Sequence, residues 1–160
     1  MKSSLSDDLL RAIGAVSAQW AVLEYQMSRA TVACLTKFSD DPPKKVAAPN
    51  DLSFRARRTM FKDALSGPSV PASVKSEGSE LLDQIRELEN ERHKIIHGMA
   101  EEFDVLQSEV LFSRTNTAGE LWFNQRFTVP HIEAIADQIG DLNVKIFEFA
   151  FKLWPPLPAA

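Results

Sequence analysis

Three polar residues close together in the middle of the chain have side chains suited to acid–base chemistry on a phosphate group. They are Arg92, His93 and His97. An imidazole titrates near neutral pH, so it can take up or release a proton during a reaction. A guanidinium presents a rigid fork of donors that fits phosphate oxygens. The hypothesis is that His97 accepts the proton of an attacking hydroxyl, Arg92 neutralises the developing charge, and His93 positions the phosphate or donates a second proton.

The three residues lie near the end of a predicted helix that covers about residues 71–97. Its last turns carry an apolar stripe with steps of three, four and seven residues, formed by Leu81, Ile85, Leu88, Ile95 and Ile96. Gly98 follows the stripe, where a left-handed residue commonly ends a helix. Arg92 falls on the stripe itself. Its charge is therefore partly removed from water and needs a partner or a functional role.

A carboxylate on the first helix is a candidate partner for Arg92. Glu24 lies one helical turn after Trp20, beside the face that the apolar residues predict to be buried. In this alternative Arg92 is a structural tether to Glu24 or to a backbone carbonyl, and the helix dipole favours His97 at the helix end. Positions 92 and 97 are about 140° apart around an ideal helix. They can converge only at a frayed helix end or across a two-fold axis with a second copy.

The motif Arg92-His93-x-x-x-His97, with Gly98 directly after it, is similar to the Arg-(Asn/Asp/His)-x-x-x-His motif of the HEPN superfamily. Those proteins are all-α domains, and many are metal-independent ribonucleases of toxin–antitoxin, abortive-infection and phage-defence systems. The resemblance implies that Arg92 and His97 take the two invariant positions and His93 the variable polar one. It further implies attack of an RNA 2′-hydroxyl on the neighbouring phosphate, with no cofactor, in a cleft shared by a homodimer.

Two hypotheses for the function follow from this resemblance. In the first, the chain is a metal-independent endoribonuclease of bacterial defence or toxin type. In the second, it is a catalytically silent HEPN-like domain that dimerises or binds a partner protein, such as an antitoxin. The enzyme should present Arg92 and His97 in an open cleft, whereas the silent domain should hold both in core hydrogen bonds.

A basic cluster lies on a second predicted helix at residues 52–65. It consists of Arg55, Arg57, Arg58 and Lys62. Clustered Arg and Lys side chains commonly meet the phosphates of nucleic acids, so this cluster is the predicted contact with the RNA backbone. The alternative is an ordinary solvated helix face.

A metal site is the competing chemistry at the motif. Glu89, His93 and His97 are spaced i, i+4 and i+8, and two imidazoles with a carboxylate can bind a divalent transition metal. However, Lys94 stands where a zinc protease helix would carry its catalytic glutamate. A cation beside a metal is unfavourable, and no further ligand can be identified. We therefore expect no metal at this site.

The remaining patterns predict a single HEPN-like domain over residues 1–160, mainly α, with a bundle of four main helices and an inserted β-hairpin at about residues 103–128. Ser6 begins a first helix that ends near Phe38, and a looser turn is expected around Gly78. The strand-like segments are rich in β-branched and aromatic residues, 103–112 and 120–128. Val129-Pro130 begins the last helix. A proline-rich tail follows at residues 155–160.

Composition indicates an ordinary globular chain. Hydrophobic residues make up 44% of the 160 residues and charged residues 25%. The net charge of −4 argues against a strongly basic nucleic-acid binder. Cys34 is the only cysteine, so an internal disulfide is excluded and a reducing compartment is favoured. No apolar run is long enough to cross a membrane. The expected location is the cytoplasm, without membrane association.

The last helix generates a prediction about assembly. Seven apolar residues repeat along it at steps of three and four, and Phe147 and Phe151 widen the stripe. This apolar surface and the hairpin exceed what one bundle covers, so we expect a two-fold homodimer. Light scattering at tens of micromolar protein should give the dimer mass, because a stable dimer remains associated at this concentration. A monomer mass would contradict the expectation.

Overall fold

The computed structural model describes residues 5–40, 52–104, 109–115 and 118–154. These residues form four helices and three strands in the order α1 (Asp7–Phe38), α2 (Phe54–Leu65), α3 (Ala72–His97), β1 (Met99–Asp104), β2 (Glu109–Thr115), β3 (Leu121–Thr128) and α4 (Val129–Leu153). The predicted fold class, mainly α with a β-hairpin inserted before the last helix, is confirmed. The proline-rich tail at 155–160 and the loop at 41–51 lie outside the described residues.

Local side-chain hydrogen bonds set the beginnings of two helices. The Ser6 hydroxyl accepts from the backbone N–H of Leu9 at 3.2 Å, at the start of α1. Ser53 is the N-cap of α2, and its hydroxyl accepts from the backbone N–H of Ala56 at 3.2 Å. Each serine satisfies a backbone donor that a helix start leaves without a partner.

Helix α3 continues through Gly78, where the sequence predicted a looser turn. The glycine serves close packing instead. A Cβ atom at this position would lie 2.5 Å from the terminal carbons of Leu65 in α2. A larger residue would therefore force the buried Leu65 side chain to shift, because the two helices approach closely here.

The sheet is antiparallel with the strand order β1-β2-β3. The hairpin of β2 and β3 is the predicted one, and β1 is an additional strand that follows α3 almost directly. The predicted first strand, 103–112, covers the end of β1 and the start of β2. Residues 105–108, and residues 116–117 of the predicted turn, lie outside the described residues. Gly119 has φ +80°, which suits a turn.

The chain divides into two compact units, each assembled from separate segments. Unit 1 contains residues 1–20 and 86–140, and unit 2 contains residues 21–85 and 141–160. All three boundaries lie within helices, namely α1, α3 and α4. The prediction of a single domain remains a prediction.

Unit 1 has an apolar core under the sheet. Val110, Phe112 and Phe127 are buried, and the rings of Phe112 and Phe127 meet edge to face at 5.7 Å. Val110 pairs with Phe127 across the β2–β3 ladder, so both lie on one sheet face. A lone hairpin is marginal in water, and this buried face supplies the stabilisation that it needs.

Unit 2 contains α2 and parts of α1, α3 and α4, and the helical bundle is confirmed here. Phe61 of α2 meets Phe149 of α4 edge to face at 5.8 Å. The Cys34 thiol of α1 donates to the carbonyl of Ala64 in α2 at 3.5 Å, and burial raises the pKa of this thiol. Lys152 of α4 pairs with Glu77 of α3 at 2.8 Å.

Aromatic side chains surround one arginine on the surface of unit 2. The Arg29 guanidinium lies over the rings of Tyr25, Phe147 and Trp154, at 5.9, 5.6 and 5.9 Å from their centroids. All three rings are exposed. We call these four residues the Arg29 cluster. Phe151 stacks beside Phe147 at 6.1 Å and is 71% exposed, so the cluster continues along α4.

The apolar stripe of α4 faces inward as predicted. Its seven members are all buried: Ile132, Ile135, Ile139, Leu142, Ile146, Phe149 and Leu153. Of the predicted core residues on the other helices, Trp20, Leu23, Met27, Ile85 and Leu88 are buried as well. Ile96 is only half-buried, and Ile95 takes the buried position at the end of α3.

None of the helices in the described ranges is long and apolar enough to span a membrane.

The inward face of α4 can be tested by a matched pair of substitutions. Leu142→Ala should lower the free energy of unfolding by ~2–5 kcal/mol, because Leu142 is buried and the shortened side chain leaves a cavity. Val144→Ala, on the exposed side of the same helix, should change it by less than about 0.5 kcal/mol. Urea denaturation monitored by circular dichroism measures both. Equal losses would show that the face is assigned incorrectly.

Candidate functional site

The three motif residues lie on the last turns of α3, and Gly98 connects this helix to β1. Gly98 does not have the left-handed conformation that the sequence predicted, since its φ is not positive. A glycine is needed at this position because there is no room for a side chain. A Cβ atom here would collide with the carbonyl oxygen of Lys94 and lie 3.1 Å from Phe112 and Phe123. The end of α3 can therefore press directly against the sheet.

Arg92 and His97 are in direct contact within one chain. The Arg92 Nη1 atom lies 2.9 Å from Nε2 of His97. His97 is the last residue of α3, so its side chain can turn back toward Arg92 despite their angular separation on the helix. Of the two predicted routes to convergence, the helix end is the one observed. A second copy of the chain is not needed to bring this pair together.

His93 has an equivalent contact with an arginine of the sheet. Nη1 of Arg114, in β2, lies 2.6 Å from Nε2 of His93. An arginine side chain has donors only, so each histidine must accept through a lone pair on Nε2. Both imidazoles are therefore neutral in this arrangement, with their proton on Nδ1.

The site also contains a close set of rings. The imidazoles of His93 and His97 are 4.6 Å apart, and the ring of His93 meets the indole of Trp122 edge to face at 5.5 Å. The Arg114 guanidinium lies 5.1 Å from the centroid of the same indole. We call Arg92, His93, His97, Arg114 and Trp122 the motif cluster.

Trp20 of α1 supports Arg92 from the side of the core. The Arg92 guanidinium lies 5.5 Å from the centroid of the Trp20 ring, and Trp20 is buried. An arginine can stack its flat, weakly hydrated guanidinium on an aromatic face. Arg92 therefore keeps its place on the apolar stripe while one end of the guanidinium reaches His97.

The pKa values of both histidines are lowered from the ordinary value. For His97 the causes are partial desolvation of the ring, the positive charge of Arg92, and then His93 and Arg114. For His93 they are desolvation, Arg114 and Arg92. Both shifts favour the neutral imidazole. This agrees with the hydrogen bonds that both rings accept from arginine.

The motif cluster combines two fixed positive charges with two neutral imidazoles. Such a set can bind an oxyanion through the guanidinium groups and offer an imidazole as a base beside it. His97 is exposed, and Arg92 and His93 are half-buried, so a ligand can reach the histidines from solvent.

Glu24 has a different neighbour from the one predicted. The sequence predicts a pair with Arg92, but the ion pair that the structure describes joins Glu24 to Arg57 of α2, at 3.9 Å. Arg57 is only 5% exposed and donates to the hydroxyl of Ser28 at 2.9 Å.

This contact corrects the predicted basic cluster on α2. Arg57 is buried in unit 2, so it is not a surface cation for a phosphate. Arg55 and Lys62 are exposed and Arg58 is half-buried, so these three remain candidates for RNA contacts. A buried charge must be paired, and Glu24 and Ser28 are the partners of Arg57. The sequence pattern alone could not show these contacts.

Arginines occupy the imidazoles of the set considered as metal ligands. Within the described residues, no three His, Cys, Asp or Glu side chains are placed to hold a metal ion. The histidines of the Glu89, His93 and His97 set direct their Nε2 atoms at arginines. A cation would have to compete with two guanidinium groups for these lone pairs.

Arg114 and Trp122 were not found by the sequence analysis. The sequence contains a signal for Arg114, because it follows Val110 and Phe112 at steps of two and so lies on the apolar face of β2. The predicted strand ended before it. Trp122 is the extra residue of a β-bulge, since Arg114 pairs with Phe123 and Thr115 with Leu121. A bulge can redirect a side chain in this way, but its position is not visible in the sequence.

Comparisons of the chain with protein-family models, with curated proteins and with solved structures give no match.

The two arginine–histidine contacts can be tested by titration. Arg92→Gln should raise the pKa of His97 toward the ordinary imidazole value, because it removes a positive charge and a donor to the neutral ring. Arg114→Gln should do the same mainly for His93. NMR titration of the imidazole carbon-bound protons measures both. If Arg92→Gln leaves the pKa of His97 unchanged and Arg114→Gln leaves that of His93 unchanged, the contacts do not form in solution.

Proposed function

We propose that the chain is a metal-independent endoribonuclease with a HEPN-like site, in which Arg92 and His97 act on the phosphate of an RNA strand. The observation that carries the proposal is the 2.9 Å contact of Arg92 with His97 at an open position. Neither residue is held in a core hydrogen bond by this contact. An exposed imidazole that accepts a hydrogen bond from an arginine is suited to proton transfer.

The arginine–histidine contact defines a resting state for this mechanism. While Arg92 donates to Nε2 of His97, the lone pair of the base is occupied. A phosphate competes for the guanidinium, because a charge-assisted bond to an anion is stronger than one to a neutral imidazole. Binding of the RNA backbone then draws Arg92 to a phosphate oxygen and releases His97. The base becomes available only when substrate is present.

The chemical step uses the released imidazole. His97 takes the proton of the ribose 2′-hydroxyl, and the oxygen attacks the adjacent phosphorus. The bond from phosphorus to the 5′-oxygen breaks, which leaves a 2′,3′-cyclic phosphate and an alkoxide that receives the proton from His97. Arg92 stabilises the charge on the phosphate oxygens as it develops.

His93 fits the positioning role better than that of a second proton donor. Arg114 donates to its Nε2 atom and the pKa of His93 is lowered, so its protonated form is disfavoured. The remaining Nδ1 proton can donate to a phosphate oxygen. His93 would thus orient the phosphate beside His97, 4.6 Å away between ring centroids.

The biological setting is proposed from the same resemblance. We place the enzyme among the cytoplasmic ribonucleases of bacterial toxin–antitoxin or phage-defence systems, where a protein antitoxin or a homodimer would control access to the site. The exposed cations Arg55 and Lys62, with Arg58, would contribute further contacts to the RNA backbone.

A specific observation favours the second candidate, a catalytically silent domain for dimerisation or partner binding. The Arg29 cluster exposes tyrosine, tryptophan and phenylalanine around an arginine, and Phe151 extends it. These residue types dominate the energetic centres of protein interfaces. The cluster would be the contact surface of a homodimer or of a protein partner, whether or not the motif cluster is active.

Substitution of His97 separates the two candidates. His97→Ala should reduce RNA cleavage by about 10²–10⁴-fold, the usual contribution of a positioned acid–base group. The melting temperature should hardly change, because the side chain is exposed. Cleavage should persist in EDTA. The acid limb of the pH profile of kcat/KM, which reports the free enzyme, should lie below the ordinary imidazole range, because the pKa of His97 is lowered and the base stays unprotonated to lower pH. The assay follows end-labelled RNAs of varied sequence on gels.

His131→Ala is the matched control. His131 is exposed on the first turn of α4, outside the motif cluster, and its replacement should leave cleavage unchanged. Arg92→Lys keeps the charge but loses the fork of donors, so it should also reduce cleavage. If the wild-type protein cleaves no RNA in a broad panel, the ribonuclease proposal is wrong and the partner-binding domain stands.

A further inference from the structure

Trp122 is exposed to an unusual degree for a tryptophan beside a candidate site. Its side chain is 61% exposed, although large aromatic residues are on average well buried. The β-bulge at this position makes Trp122 an extra residue of β3. By simple alternation it would lie on the other sheet face from Arg114, yet its ring is in contact with Arg114 and His93. The bulge turns the indole toward the motif cluster.

Two partners hold the exposed indole in a defined position. Arg114 lies 5.1 Å from the ring centroid, in cation–π geometry, and the ring of His93 meets it edge to face at 5.5 Å. Arg114 is itself fixed by its hydrogen bond to His93. A tryptophan that is both exposed and fixed offers a flat binding surface. Because its side chain is already ordered, a ligand that binds there loses little free energy to fixing it.

The position of this flat surface relates it to the candidate base. Trp122 is joined to His97 through His93, with centroid separations of 5.5 and 4.6 Å. A planar group resting on Trp122 would therefore be next to a phosphate held at Arg92 and His97. In a nucleic acid strand the planar group next to a phosphate is a nucleobase.

We propose that Trp122 and Arg114 form a subsite that stacks one unpaired nucleobase and contacts its phosphate, next to the phosphate bound by Arg92 and His97. Every nucleobase has a π-face, so aromatic stacking accepts any base. A base inside a duplex is already stacked on both faces and must leave the helix to reach a protein ring. The substrate strand is thus unpaired at this nucleotide. The biological role of this subsite rests on the proposed ribonuclease function. Its ability to bind a single strand can be tested independently of that function.

Binding of a strand that cannot be cleaved tests the subsite directly. The probe is a short fluorescein-labelled oligonucleotide of mixed sequence made of 2′-O-methyl nucleotides, which lacks the attacking hydroxyl. Fluorescence anisotropy measures its Kd. Trp122→Ala should weaken binding by about 5–150-fold, the loss expected for one stacked base. Trp122→Phe should weaken it less, because a ring remains. A hairpin duplex of the same composition should bind more weakly than the single strand.

Leu121→Ala is the matched control, since Leu121 is the neighbouring residue on β3 and is equally exposed at 60%. It should leave Kd within about two-fold, as expected of a surface change with no role. Arg114→Ala should reduce the slope of log Kd against log salt by about 0.7, the value for one phosphate contact on a single strand. Melting curves of each variant confirm that the fold is intact.

The outcomes for the subsite and for the ribonuclease are distinct. The subsite is overturned if the wild-type protein does not bind the probe, if Trp122→Ala binds as tightly as wild type, or if Leu121→Ala loses as much as Trp122→Ala. Binding that depends on Trp122, in a protein that cleaves no RNA, supports the subsite and rejects the enzyme. Cleavage that is unaffected by Trp122→Ala, with unchanged probe binding, supports the enzyme and rejects the subsite.

Discussion

The hydrogen bond between Arg92 and His97 is the contact on which the proposed chemistry depends. Because an arginine can only donate, the contact fixes both the tautomer and the neutral state of the imidazole. The same logic applies to Arg114 and His93. The partners in these two contacts are neutral imidazoles, so neither contact neutralises the positive charge of its arginine. A carboxylate in place of either imidazole would neutralise the site before any ligand arrived.

The fold supports this contact through close approach at two places. Gly98 lets the end of α3 meet Phe112 and Phe123 of the sheet, which positions His93 near Arg114. The Trp20 ring lies 5.5 Å from the guanidinium of Arg92. The site is therefore a product of three elements, α1, α3 and the sheet, rather than of the helical motif alone. Rigid support of this kind holds side chains in position more precisely than a loop can.

Periodicity predicted the helices well because each carries a long apolar stripe with a clear beginning, as in α4 after Val129-Pro130. It missed most of β1, whose acidic residues do not resemble a strand and which is defined by its pairing with β2. The motif identified Arg92, His93 and His97, since these lie close in sequence. Arg114 and Trp122 join them only through strand register and a bulge, which depend on contacts between distant segments. The burial of Arg57 likewise follows from a neighbour that lies far away in sequence.

The division of the chain into two units has a consequence for how it folds during synthesis. Each unit combines a piece of α1 with a piece of α4, so neither has all its segments until the ribosome has made the last helix. In each unit the segment of α1 must wait for a segment of α4 that is made more than a hundred residues later. Contacts of such long sequence separation slow folding and lengthen the exposure of the nascent chain to chaperones and proteases. A truncated product that ends after the sheet would lack the segment that completes either unit.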